Sequence, residues 1–165
     1  ITVLLAALLA IGRAFSIEQQ HGARDGLRLA GLDGSSVFIG KAIAIAVQLA
    51  ILEAVLGLTV VVLYGVEVHG VVVLLATASA ATIGLAAAGT LYGVLAAGLR
   101  ARETLLPLLL LPVLAPVMLG ATRAFEDGLE GVPGDAWPWV ALLTVFALLY
   151  TGVGMLAFGP LWEDT

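Results

Sequence analysis

Three stretches of this chain carry no charged residue: Gly70 to Leu99, Thr104 to Thr122 and Ala136 to Trp162. The hydrocarbon core of a bilayer is about 30 Å thick and takes about 20 apolar residues to cross as a helix. Each stretch reaches roughly that length. Ala42 to Val66 is a fourth, broken on its way only by Glu53. Lipid offers the backbone no hydrogen-bond partner, so long continuous apolar runs are helices, whereas barrel strands alternate polar with apolar residues. The expected fold class is all-α, a polytopic transmembrane helix bundle.

Composition agrees with that expectation. Only 12% of the 165 residues are charged, against about 25% in soluble domains, and the mean hydropathy is +1.12. A net charge of -5 argues against a nucleic-acid partner, because phosphate binding needs clustered Lys and Arg. With no Cys in the chain, disulfides, thiolate metal sites and Cys-dependent haem attachment are excluded.

Five hydrophobic segments follow, at residues 1–12, 36–64, 70–97, 104–122 and 137–160 of a single transmembrane domain. The first is too short to span and has no initiator Met, so it is expected to be the tail of a longer helix in a chain lacking its N-terminal helix. A signal peptide is the rival, but no basic region precedes the apolar run and no cleavage pattern follows it. Arg13, Arg24, Arg28 and Lys41 lie between the first two segments, and Arg100 and Arg102 between the third and fourth. The other side has only Arg123, set among Glu126, Asp127, Glu130 and Asp135. Basic loops stay on the cytoplasmic side, which places residues 13–35 and 98–103 in the cytoplasm and Glu163-Asp164 with them. Trp137, Trp139 and Trp162 flank the last segment, as interfacial anchors do.

Within the third segment, Ala76, Ala80, Gly84 and Ala88 recur every four residues, followed by Gly89, Gly93 and Ala97. Such spacing lets helices approach closely, and ordinary packing is preferred to a gate. Pro107, Pro112 and Pro116 are expected to kink or break the fourth segment, since each removes a backbone donor. The stretch from Arg123 to Asp135 reads as an exposed external loop with room for a short surface helix.

Candidate chemistry is sparse. Gly34-Ser-Ser-Val-Phe-Ile-Gly40-Lys41-Ala42 resembles a phosphate loop but has five residues between its glycines and no hydroxyl after the lysine. Glu53, with Gln48 about a turn and a half before it, is a costly carboxylate inside a span and by default a functional candidate. Its alternative is a hydrogen-bonded packing residue facing another helix. His21 and His69 fall in loops on opposite sides, so they cannot share a metal, and Met118 and Met155 are isolated filler. No nucleophile, base and orienting group come together. The loop from Arg13 to Gly34 intersperses Phe15, Leu27, Leu29 and Leu32 with charges, and can lie at the membrane surface.

That loop carries a resemblance. Arg13-x-Phe15-x-x-Glu18-x-x-x-Gly22, then Gly26-Leu27, then Gly40-Lys41, is similar to the B subunit of cytochrome c maturation, CcmB or haem exporter protein B. Gly89-Thr-Leu-Tyr-Gly-Val-Leu-Ala-Ala and Arg100-Ala-Arg102-Glu103-Thr-Leu-Leu-Pro107-Leu-Leu-Leu-Leu-Pro112 extend the likeness over nearly the whole chain. The resemblance implies an ABC-2 type permease-like fold of six helices, the first missing here, in a prokaryotic inner membrane. It further implies a non-catalytic subunit that couples ATP hydrolysis by a partner, CcmA, to haem delivery or to release of a haem-loaded chaperone. CcmC, CcmD and the chaperone CcmE would be the other partners, with haem and ATP handled by those chains and no cofactor held directly. Phe15, Glu18, Gly22 and Lys41 would contact the ATPase, and Arg100, Arg102 and Glu103 would form a second cytoplasmic loop. Other ABC-2 exporters share the outline of the first loop, so a lipid, glycan or drug exporter is one alternative. An ion-coupled carrier using Glu53, or a purely structural membrane subunit, is another.

Overall fold

A computed structural model describes residues 2–21, 33–65, 69–97 and 102–163. These form helices α1 (Thr2–His21), α2 (Gly34–Tyr64), α3 (Val71–Ala97), α4 (Arg102–Leu129) and α5 (Pro133–Glu163). Among the described residues there is no strand. The fold is all-α, and α2 to α5 are each long and apolar enough to cross a membrane, while the apolar part of α1, Thr2–Ala14, is shorter. The contacts Phe38–Gly154, Glu53–Thr82, Gly70–Gly128 and Gly120–Leu143 run α2 to α5 alternately up and down. One end of the bundle therefore gathers the C-termini of α3 and α5 with the N-termini of α2 and α4.

Helix α3 is the axle of the bundle and packs against all four others. Every residue from Gly84 to Leu91 is buried, because small side chains let the neighbours come close. A Cβ at Gly84 would meet the Phe146 ring of α5 at 2.8 Å, and one at Gly89 would run into the Ile11 side chain of α1. The small residues of this helix serve packing. Its buried hydroxyls are answered within the helix: Thr77 donates to the Val73 carbonyl at 2.8 Å and Thr90 to the Ala86 carbonyl at 2.7 Å. Around this axle, Ile11, Phe38, Leu49, Leu110 and Leu143 form the main apolar cluster. A smaller one, of Val73, Ala124, Ala136 and Val140, closes the other end. Leu58, Leu63, Leu148 and Leu156 are among the large side chains turned outward, where lipid replaces water as the solvent.

The helix ends depart from the sequence expectation in three places, for one physical reason. Lipid excludes charge, but helix geometry does not, so a helix can continue into the interface past the last apolar residue. Helix α1 runs on to His21, which puts Arg13, Phe15 and Glu18 on the helix and not in a loop from residue 13. At its start, α4 takes in Arg102 and Glu103, and at its end it extends to Leu129. Arg123 and Glu126, expected in an external loop, are instead an i,i+3 ion pair at 3.2 Å on its exposed side. Helix α4 is also continuous through Pro107, Pro112 and Pro116, so the expected break is absent. Each proline withholds a donor from the carbonyl four residues earlier but leaves the flanking turns helical.

The caps explain the remaining ends. Asp33 caps α2 in an extended conformation, and its carboxylate accepts hydrogen bonds from the Ser35 and Ser36 hydroxyls and the Ser36 amide. Gly65 closes the other end in the left-handed region, at φ 60°, with its N–H on the Val61 carbonyl at 3.0 Å. Between α4 and α5 a tight turn uses Gly131 at φ 82°, with the Val132 N–H on the Asp127 carbonyl at 3.1 Å. Pro133 then starts α5, where its missing N–H costs nothing. The Gly70 amide donates to the Gly128 carbonyl at 3.1 Å and fastens the start of α3 to the end of α4.

Candidate functional site

Two places could carry function: the end of the bundle where the basic residues gather, and the polar pair inside the membrane. At the first, the backbone of Phe15 and Glu18 lies in the last turns of α1, and Lys41, half-buried, lies in the second turn of α2. Gly22 and the rest of residues 22–32 fall outside the described residues, as does Arg100. Arg102 and Glu103 open α4. The up-and-down order of α2 to α5 brings Lys41, Arg102 and Glu103 to one end of the bundle.

Sequence reasoning missed what holds this end together. Phe38 is fully buried one turn before Lys41, and its ring lies over Gly154 near the C-terminal end of α5. A Cβ at Gly154 would overlap the ring, with Cε1 at 2.7 Å and two further ring atoms nearer still. The only signal was a glycine in an apolar helix, and nothing in one sequence says which partner fills its notch. Tyr150, one turn earlier on α5, stacks against Phe146 at 4.6 Å between ring centroids and reaches Tyr92 of α3 at 6.3 Å. The start of α2 thus joins, through Phe38, the same apolar cluster against which these three aromatic residues pack. It is also anchored by Asp33, whose carboxyl is lowered from 3.8 to about 2 by the hydrogen bonds from Ser35 and then Ser36.

The second place is Glu53. It faces α3, and the buried Thr82 hydroxyl donates to its Oε2 at 2.7 Å. Among the described residues, that hydroxyl is its hydrogen-bond partner, and no basic side chain pairs with it. A sequence search for a cation opposite Glu53 could not have found a threonine, because apolar spans carry many hydroxyls that serve their own helix. Thr59, Thr77, Ser79, Thr90 and Thr144 all do so. Gln48 points elsewhere and is exposed. The two polar residues of α2 do not form one site.

No curated relative and no solved structure matches the chain. A family model does: the one described as CcmB protein matches residues 1–160. With that match over nearly its whole length, on a bundle of apolar membrane-length helices, the chain belongs to the CcmB family.

Proposed function

We propose that this chain couples ATP hydrolysis in a separate subunit to a step of cytochrome c maturation, as the membrane-spanning part of an ABC transporter. The observation that carries the proposal is the family match over residues 1–160. The placement of Lys41, Arg102 and Glu103 at one end of the bundle, with Phe15 and Glu18 in the last turns of α1, supports it. This end faces the cytoplasm of a prokaryotic inner membrane, since basic residues remain on that side. There the C-terminal turns of α1 and the segment that follows, through Gly22, dock on the ATPase CcmA. Phe15 and Glu18 supply the recognition face, and Lys41 fixes the start of α2 at the interface. Closure of the ATPases tilts the α1–α2 pair, and the Phe38–Gly154 contact passes the tilt to α5.

In this reading CcmC, CcmD and the chaperone CcmE complete the assembly. Haem is their cargo and ATP the partner's substrate, so this chain acts mechanically and catalyses nothing itself. Glu18→Ala tests it: the variant should insert normally but lose ATP-dependent release of the haem-loaded chaperone. Full release by that variant would refute the docking assignment. The ion-coupled alternative loses ground because Glu53 is tied to Thr82 within the packed bundle.

A further inference from the structure

Helix α4 is held in two different ways along its length. Beyond Val117 its inward face is made of small residues, with Gly120, Ala124 and Gly128 buried at four-residue spacing. A Cβ at Gly120 would stand 3.3 Å from the Leu142 and Leu143 side chains of α5, and one at Gly128 would stand 3.0 Å from Leu74 of α3. The Gly128 carbonyl also takes the Gly70 amide. Here the backbone lies directly against its neighbours, which is the closest way two helices can pack in lipid. Between Leu108 and Pro116 the contact is different. Leu110 and Leu114 are the buried residues there, and a leucine reaches its neighbour through rotatable bonds.

The same stretch lacks two rungs of its hydrogen-bond ladder. Pro112 has no N–H for the Leu108 carbonyl, and Pro116 has none for the Pro112 carbonyl. Positions 108, 112 and 116 stand one above another on the helix, so the missing rungs are consecutive and on one side. All three residues are exposed, which turns that side away from the other described helices. Pro112 lies about 15 Å along the axis from Arg102, inside the hydrocarbon, where no water replaces the lost donors. Each carbonyl can instead accept from the N–H three residues on, which tightens the turn, or five residues on, which widens it. For Leu108 those donors belong to Leu111 and Val113, and for Pro112 to Ala115 and Val117. The two choices bend the helix differently.

We propose that α4 is hinged at Pro112–Pro116, so that the half beginning at Arg102 swings while the half ending at Leu129 stays clamped to α3 and α5. The ladder of small residues starts one turn beyond Pro116, which sets the change from loose to clamped at the hinge. A kink of about 20° over an arm of about 15 Å moves the Arg102 end by about 5 Å. The hinge belongs to the chain alone, and it operates whether or not a partner drives it.

The chain has no Cys, so spin labels can be placed in chosen pairs. Thr104→Cys with Leu156→Cys reads the swinging half against α5, and Thr122→Cys with Val72→Cys reads the clamped half against α3. Distances are measured by double electron–electron resonance on the full chain in phosphatidylcholine vesicles. With an arm of about 12 Å from Pro112 to the label, the first pair should be spread about 4 Å more widely than the second. Pro112→Ala with Pro116→Ala restores both donors and should narrow the first pair to the width of the second. Pro107→Ala restores a rung on another side of the helix, only about 5 Å from the label, and should narrow it less than half as much. A first pair already as narrow as the second, a width that the double variant leaves unchanged, or equal narrowing by Pro107→Ala overturns the hinge.

Discussion

Replacing Gly154 by Ala places a methyl group inside the Phe38 ring. Neither side can give way easily: Phe38 is fully buried, and Gly154 sits on a continuous helix whose backbone is fixed by its own hydrogen bonds. Van der Waals fit, not the hydrophobic effect, holds helices together in lipid, so a lost fit is felt without compensation from burial. Overpacking of this kind costs about 1–3 kcal/mol in folded cores, and the overlap at Gly154 puts it in the upper half of that range. The assay is unfolding of the purified chain in mild detergent, followed by tryptophan fluorescence. Phe38→Leu should cost about 1 kcal/mol alone by opening a small gap. In the double variant the leucine leaves room for the methyl, so the loss should fall short of the sum by at least about 0.5 kcal/mol. A Gly154→Ala chain within about 0.5 kcal/mol of the wild type, and additive with Phe38→Leu, would refute the packing argument.

Three further outcomes are expected. Thr82→Ala strips Glu53 of its hydroxyl partner and should destabilise the bundle by about 0.5–1.5 kcal/mol, whereas Thr82→Ser should stay near wild type in the same unfolding assay. Glu53→Gln can still accept from Thr82, so ATP-dependent chaperone release should persist, and loss of transport without any ATPase present would revive the carrier reading. Asp33 has its carboxyl lowered from 3.8 to about 2, so its contribution to α2 is complete above about pH 4 and is lost as pH falls through 2. A carboxyl carbon titration by NMR should show that midpoint and return toward 4 in the Ser35→Ala, Ser36→Ala double variant.

Much of the fold could be read directly from where charges are absent, because lipid imposes that pattern on any spanning helix. The small residues of α3 also announced close packing, which Gly84 and Gly89 carry out against Phe146 and Ile11. Helix ends were harder. Arg13 and Arg123 were read as the beginnings of loops, yet a helix outside the hydrocarbon is solvated like any other and stops where its caps stop it. Pairings were hardest, since one sequence gives each helix its faces but not their neighbours. Thr82 opposite Glu53 and Phe38 opposite Gly154 depend on the relative rotation of two helices, which no local pattern encodes. The basic residues pointed to one end of the bundle as the candidate site, while the elements that brace that end emerged only from packing.

The central claim is that this bundle is driven by an ATPase that belongs to another chain. Its most direct test is purification of the chain from its native membrane in mild detergent, with every co-eluting protein identified and weighed. A P-loop ATPase should co-elute in fixed proportion and be lost when Glu18 is replaced by Ala. A chain that elutes intact with haem-handling proteins but with no ATPase would contradict the claim.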